Sequence, residues 1–318
     1  MRSHLPTPIL LLSLALTLSA CITPGKNLFE EHRVYRPSAA SAETGPRILA
    51  VVAHPDDEIL FAGTLYTTSM LLDGVCDVAL ITNGEGGYKY STLAEPIYGE
   101  KLTDEAIGRA RLPDIRREEF LSGCSILGVR RAFLLNQQDH RYTQDPLEVL
   151  GEGQQIWNLE FICASLEKIL RRGDYDFVFT LTPTAGTHGH HKAATVLALR
   201  AVAALPEDER PVILCARTGS AEEEADAPYE QLEDFPITAL REGAESFRFD
   251  RTKPFGYSDR LNLKVIANWA IAEHKSQGTM QLAANRGDYE QYSVFELNPE
   301  DAEEKAGALF RELEGVRP

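Results

Sequence analysis

Two short segments of the chain hold the residues best equipped for chemistry. Ala53-His54-Pro55-Asp56-Asp57-Glu58 sets an imidazole beside three carboxylates, and Thr187-His188-Gly189-His190-His191 clusters three imidazoles. Together they contain four of the chain's eight histidines. Nitrogen and oxygen donors side by side suit a divalent cation, and a catalytic zinc site takes three protein ligands and keeps one position open for water. His54 and one carboxylate supply two ligands, and a histidine of the second segment supplies the third. The other carboxylate is then free to take a proton from water that the metal has acidified, from a pKa of 15.7 to about 7. Asp56 and Asp57 thus offer two acidic groups for two tasks. Carboxylates here also have a structural use, capping free N–H groups at a helix start, and the two uses are compatible.

Such chemistry needs a fold that joins the two segments. Arg47–Ala53 reads as a buried strand that ends at the first segment, and Asp176–Leu181 as a strand that leads to the second. Further strands are expected at Asp77–Thr82, Arg131–Leu135 and Pro211–Ala216. Helices are expected at Leu60–Leu72, Thr103–Leu127 (interrupted near Pro113), Gln154–Leu170, His191–Ala204 and Asn262–Ala284. Strands separated by helix-length stretches imply βαβ units. Strands apolar on both faces imply a sheet covered on each side. The expected fold is therefore α/β, a Rossmann-like, mainly parallel sheet flanked by helices. Ligands of such sheets bind beyond the carboxyl ends of the strands, where both segments fall. No GxGxxG follows the first strand, which disfavours a dinucleotide enzyme.

Composition narrows the function further. The chain has 318 residues, 43% hydrophobic and 25% charged, in keeping with a globular protein. Its 32 Lys and Arg face 48 Asp and Glu, for a net charge of −16, which opposes binding to nucleic acid. At the N-terminus Arg2 precedes an apolar run from Ile9 to Ala20. The run is too short for a bilayer span, which needs about 20 residues, but suits a signal peptide. It ends Leu18-Ser19-Ala20-Cys21, which resembles a bacterial lipobox with Cys21 as the lipidated residue. Residues 1–20 are read as a lipoprotein signal, 21–46 as a lipidated tether, and 47–283 as the catalytic domain with an acidic insertion at about 219–250. Residues 284–318 are read as a C-terminal tail. The remaining cysteines, Cys76, Cys124, Cys163 and Cys215, lack CxxC spacing and read as free thiols in apolar surroundings.

The element Ala53–Glu58 resembles the signature of the PIG-L/LmbE family of zinc-dependent de-N-acetylases. His188–His191, followed by a helix, resembles that family's second histidine motif. Similar support comes from Thr82–Gly87, Arg116–Glu119 with Leu127-Gly128-Val129, and His274-Lys275-Ser276-Gln277. The resemblance implies an LmbE-like fold and the zinc ligands His54, Asp57 and His191. It implies Asp56 as general base and His188 as the group that steadies the oxyanion or protonates the leaving amine. It places Arg116 and Asp139 on the substrate side; Glu85, in its glycine-flanked loop, is a further candidate to bind a sugar hydroxyl, although turn chemistry accounts for the glycines equally well. One departure stands out: His190 occupies a position where the family has Asp, which also admits a register with His190 as ligand. The expected activity is hydrolysis of an N-acetyl group on an amino-sugar substrate at the bacterial cell envelope, with the outer membrane favoured. The expected cofactor is Zn2+, although such a donor set also accepts iron or cobalt. The rival readings are an amidase acting on a thiol conjugate or other amide, and a surface lipoprotein that binds zinc or glycans without turnover.

Overall fold

The structure is a computed structural model that describes residues 29–35, 43–220, 229–284 and 287–318. The signal segment, Cys21 and the acidic residues Glu222-Glu223-Glu224 lie outside these. The strands are β1 Glu30–Arg33, β2 Arg47–Val52, β3 Val75–Thr82, β4 Arg131–Gln137, β5 Phe177–Leu181, β6 Val212–Gly219, β7 Phe247–Asp250 and β8 Tyr289–Val294. The helices are α1 Ala62–Leu71, α2 Glu95–Tyr98, α3 Glu105–Ile126, α4 Leu147–Leu150, α5 Leu159–Gly173, α6 Gly189–Ala203, α7 Lys264–Glu273, α8 Gly278–Ala284 and α9 Ala302–Gly315.

The strands form one sheet in the order β1-β4-β3-β2-β5-β6-β8-β7. The five from β4 to β6 run parallel, and β1, β8 and β7 add antiparallel edges. Alternation along β2 shows why both faces are covered. Ile48, Ala50 and Val52 join a core with α1, α3, α7 and α9, while Leu49 and Val51 join a second core with α5 and α6. The expected α/β architecture is therefore the one observed.

Chain order fixes the place of the site. From β2 the chain moves outward through β3 to β4, then returns to β5 on the other side of β2. Beyond the carboxyl ends of β2 and β5 the successive connections diverge, and a crevice opens at such a switch point. The His54 loop leaves β2 there, and the His188 loop leaves β5 beside it.

Four expectations need correction. Residues 284–318 are no mere tail, because β8 is inserted between β6 and β7 and α9 packs its apolar stripe on the sheet. The tether contributes β1, paired with β4 through Glu30 and Leu134. Within the acidic stretch, Phe247–Asp250 forms the edge strand β7. The helix expected over Asn262–Ala284 is also divided: it stops at Glu273 and resumes at Gly278 after a 3-10 turn at Lys275–Gln277. By contrast, Pro113 sits inside α3 without ending it. Cys76, Cys124, Cys163 and Cys215 are free thiols, as expected.

Candidate metal centre and active site

The first segment folds as a tight turn into a 3-10 helix, Asp57–Phe61, that runs into α1. Asp57 bends back on this turn, its Oδ2 accepting from the amides of Ala53 (3.1 Å) and His54 (2.8 Å). Its Oδ1 is left facing His191 Nε2 at 3.1 Å. His191 Nε2 in turn lies 3.0 Å from His54 Nδ1, and His54 Nδ1 lies 3.7 Å from Asp57 Oδ2. Donors about 2.0–2.2 Å from one tetrahedral ion stand roughly 3.3 Å apart. One donor atom from each of the three side chains lies within 4.8 Å of the others, so the set can hold a single zinc-sized cation. Burial favours neutral imidazole at His54 and outweighs the opposing pull of Asp139. At His191 burial acts the same way, but the Asp57 carboxylate overrides it and the net shift is upward. Asp57 is held well below the usual carboxylate range, since His191, His54 and the His54 amide overcome the effect of its burial.

Asp56 points elsewhere. Its backbone has φ +120° and ψ −15°, a conformation rare for a residue with a side chain. Strain of this kind costs about 1–3 kcal/mol and persists only where the surroundings over-determine it, commonly at functional sites. Arg116 is one such constraint. Its guanidinium donates to Gly84 O (2.6 Å), to Pro55 O and to Asp56 Oδ2 (3.0 Å). Burial pushes the Asp56 carboxyl up despite Arg116, a direction that suits a proton acceptor near neutrality. Arg116 was expected to contact substrate. In the structure it is largely buried with its two terminal nitrogens on Asp56 and the two loops, yet it still borders the cleft beside Asp56.

The second segment opens α6, with His188 as the residue before the helix. A Cβ at Gly189 would lie 2.6 Å from Asp145 O, so glycine lets the 143–145 loop close on the histidines. His188 Nε2 lies 3.1 Å from the Arg141 carbonyl, which only accepts, so Nε2 carries the proton. The ring stacks between His54 (centroids 4.9 Å apart) and Tyr142 (5.1 Å). Burial and the neighbouring imidazoles push His188 down to about 3. A resting cation at His188 is thus disfavoured, contrary to the simplest picture of an oxyanion partner.

His190 is fully buried, its Nδ1 3.2 Å from His54 Nε2 and 3.3 Å from Asp139 Oδ1. Asp139 Oδ1 also lies 3.6 Å from His54 Nε2. A carboxylate behind a metal-binding histidine fixes its tautomer and orientation, and this is where Asp139 stands, although it also lines the cleft. A second cluster of His54, His188 and His190 has donor atoms close enough to hold an ion. It uses no carboxylate to balance the ion's charge, so the set with Asp57 fits a cation better. Glu85 is buried and absent from the residues lining the cleft.

Two clefts meet over Asp56, Asp57, His188 and His191. One, of about 270 Å3, runs toward Gly86, Tyr90 and Gln277. The other, of about 510 Å3, runs over Ile59, Leu181, Thr184 and Ile271. Tyr142 and Met280 border both.

The chain's matches to known proteins follow the same residues. Residues 49–202 match the PIG-L family model, GlcNAc-PI de-N-acetylase. Over 226 residues the chain is 28% identical to 1D-myo-inositol 2-acetamido-2-deoxy-alpha-D-glucopyranoside deacetylase of Mycolicibacterium smegmatis, covering 69% of this chain and 73% of that protein. It is 25% identical over 166 residues to a Bacillus cereus protein named "Probable N-acetyl-alpha-D-glucosaminyl L-malate deacetylase 2". That match covers 52% of this chain and 65% of the relative's length, just under two thirds. Among solved structures, N,N'-diacetylchitobiose deacetylase from Pyrococcus horikoshii superposes with a TM-score of 0.49 at 18% identity, covering 80% of this chain and 85% of that one.

Tyr142 and Met280 were missed in the sequence. Tyr142 follows Asp139-His140 in the loop after β4, and that loop position was the available signal. Met280 comes to the cleft through the division of the last long helix, which periodicity does not reveal.

Proposed function

We propose that this protein is a metal-dependent N-deacetylase that removes the acetyl group of an amino sugar carried on a larger molecule. The observation that carries the reading is the convergence of His54, Asp57 and His191 on one cation-sized point, with the strained, buried Asp56 beside it. The match over residues 49–202 and the amino-sugar deacetylases among the relatives support the reaction and the substrate class. A divalent cation held by His54, Asp57 and His191 supplies Lewis acidity toward water and the acyl oxygen. Asp56 takes the proton of the attacking water, its carboxylate steered by Arg116. His188, neutral at rest with Nε2–H on the Arg141 carbonyl, has Nδ1 as its free nitrogen. Negative charge building on the acyl oxygen raises its proton affinity there, so it can take up the proton that Asp56 has removed from water and hand it to the departing nitrogen as the C–N bond breaks. Tyr142 covers one face of His188 and limits access of bulk water.

The test is acetate release from N-acetylglucosamine glycosides by protein loaded with zinc, and its loss on chelation. No release across a broad panel of sugar amides and thiol-conjugate amides, with one metal bound per chain, would leave a metal-binding protein without turnover. We further propose, on the sequence Leu18–Cys21 alone, that the enzyme works at the cell envelope on a lipid anchor. Incorporation of labelled palmitate that disappears in Cys21→Ala is the expected result, and a soluble, unlabelled protein overturns it.

A further inference from the structure

We propose that the buried Glu58–His274 pair is a positioning device for Asp56, which holds the Asp56 backbone in its left-handed conformation. This rests on reading Asp56 as the proton acceptor. The Asp56 N–H donates to Glu58 Oε2 at 2.9 Å, and the other oxygen of that carboxylate accepts from His274 Nε2 at 2.6 Å. Both side chains are fully buried. Burial opposes a charged His274, but Glu58 overrides it and the imidazole is shifted upward, toward the cationic form.

Two further features of the chain serve this contact. The last long helix breaks at His274 (φ −81°, ψ 61°), which turns the ring onto Glu58. On α3, a Cβ at Gly123 would stand 3.0 Å from both Glu58 Oε1 and His274 Nε2, so glycine leaves the pair its room. The same break is anchored independently. Ser276 donates through its amide (2.8 Å) and Oγ (2.5 Å) to Glu119, and Gln277 Nε2 donates to Gly87 O at 3.3 Å. Among the described residues the Glu58 and His274 side chains bond to the Asp56 amide and to each other and not to His54, Asp57 or His191, so the pair addresses Asp56 and not the cation donors.

The full-length protein, loaded with zinc, separates this role from simple support of the fold. In His274→Leu, kcat for acetate release falls at least tenfold while KM stays within twofold and one metal per chain is retained. His274→Gln keeps an N–H toward Glu58 and recovers most of kcat. A further readout needs no turnover. Glycine accepts a positive φ and alanine does not, so Asp56→Gly melts about 3 °C above Asp56→Ala, and in the His274→Leu background that gap closes. An unchanged kcat, loss of metal, a matching rise in KM, or equal melting of the two Asp56 variants beside an intact pair overturns the proposal. Should His274→Leu not fold, Gly123→Ala, which crowds the pair, gives the same kcat loss in a folded protein. Absence of any deacetylation by the wild type removes the functional reading, while the melting comparison still decides whether the pair holds Asp56.

Discussion

At the end of the sheet where β3, β4 and β5 begin, the Asp77 carboxylate is fully buried and richly bonded. Arg130 reaches it at 3.2 and 2.8 Å, the Arg131 amide and guanidinium at 3.0 and 2.9 Å, and the Tyr175 hydroxyl at 2.6 Å. At the opposite end, Asp56, Asp57 and Asp139 share a small volume with four imidazoles, His190 Nε2 is buried without a partner, and Asp56 holds a strained backbone. The larger hollow, about 720 Å3 beside Tyr175 and Arg210, lies at the Asp77 end. Volume alone therefore points to the wrong end. What separates the two is the state of their charges. Where donors and acceptors cancel, the fold is secured; where they are left crowded and incomplete, there is capacity to hold a cation and move a proton.

The sharpest way to break this comparison is to delete one carboxylate at each end. Asp56→Ala should lower kcat by about 10²–10⁴, the usual worth of a positioned acid or base, with metal content nearly unchanged; the loss is read per folded molecule, because Arg116 also loses a buried ion-pair partner. Acetate release and metal analysis on the same sample check it, and a variant with near wild-type turnover ends the assignment of Asp56 as base. Asp77→Ala should do the reverse. Removing one partner of a buried ion pair costs about 3–5 kcal/mol, a fall of about 10 °C in melting temperature for a domain of this size, with kcat per folded molecule preserved.

Acid titration sharpens the same contrast. Burial raises the Asp77 carboxyl, but Arg130, Arg131 and Tyr175 overcome it and hold it below its ordinary 3.8. A carboxyl depressed in the folded state contributes stability that is fully present above the unfolded pKa and is lost as pH falls through the folded one. The stability difference between wild type and Asp77→Asn should thus be constant above about pH 5 and shrink below pH 4. Denaturant melts across that range test it, and a difference that grows on acidification contradicts the sign.

How far the sequence disclosed all this depends on where the partners lie. The parallel core was legible because strands such as Arg47–Val52 are apolar from Ile48 onward. His54, Asp57 and His191 were legible because both segments follow strands, although the strand order that joins them was not. Strand β8 was not legible. Its inward residues include Glu290, which is fully buried only because Arg251, Thr64 and the Gly63 amide satisfy it from distant parts of the chain. A pattern of hydrophobicity records no such compensation, so the segment looked like a tail. The break at His274 was hidden for the opposite reason, since apolar periodicity continues across it. Arg116 was read for the substrate side and does border the cleft, but the sequence did not show that Asp56 takes up part of its guanidinium.

The smallest expected effect concerns His190, where the resemblance fails. Introducing by His190→Asp the residue that the resembling family carries there looks conservative, yet the position faces Asp139 at 3.3 Å. Two carboxylates that close cannot both ionise freely, and one is pushed up. Asp139 would then be a weaker partner for His54, and metal affinity should fall, since altering such supporting groups commonly costs 10–100-fold. Turnover at saturating zinc should change by less, about threefold, because Asp56 and His188 keep their contacts with Arg116 and Arg141. Adding Asp139→Asn to His190→Asp removes the repulsion, so the double variant should bind zinc more tightly than His190→Asp alone. Additive losses would show instead that His190 acts through its packing on Trp157, whose ring centroid lies 5.0 Å away, and not through Asp139.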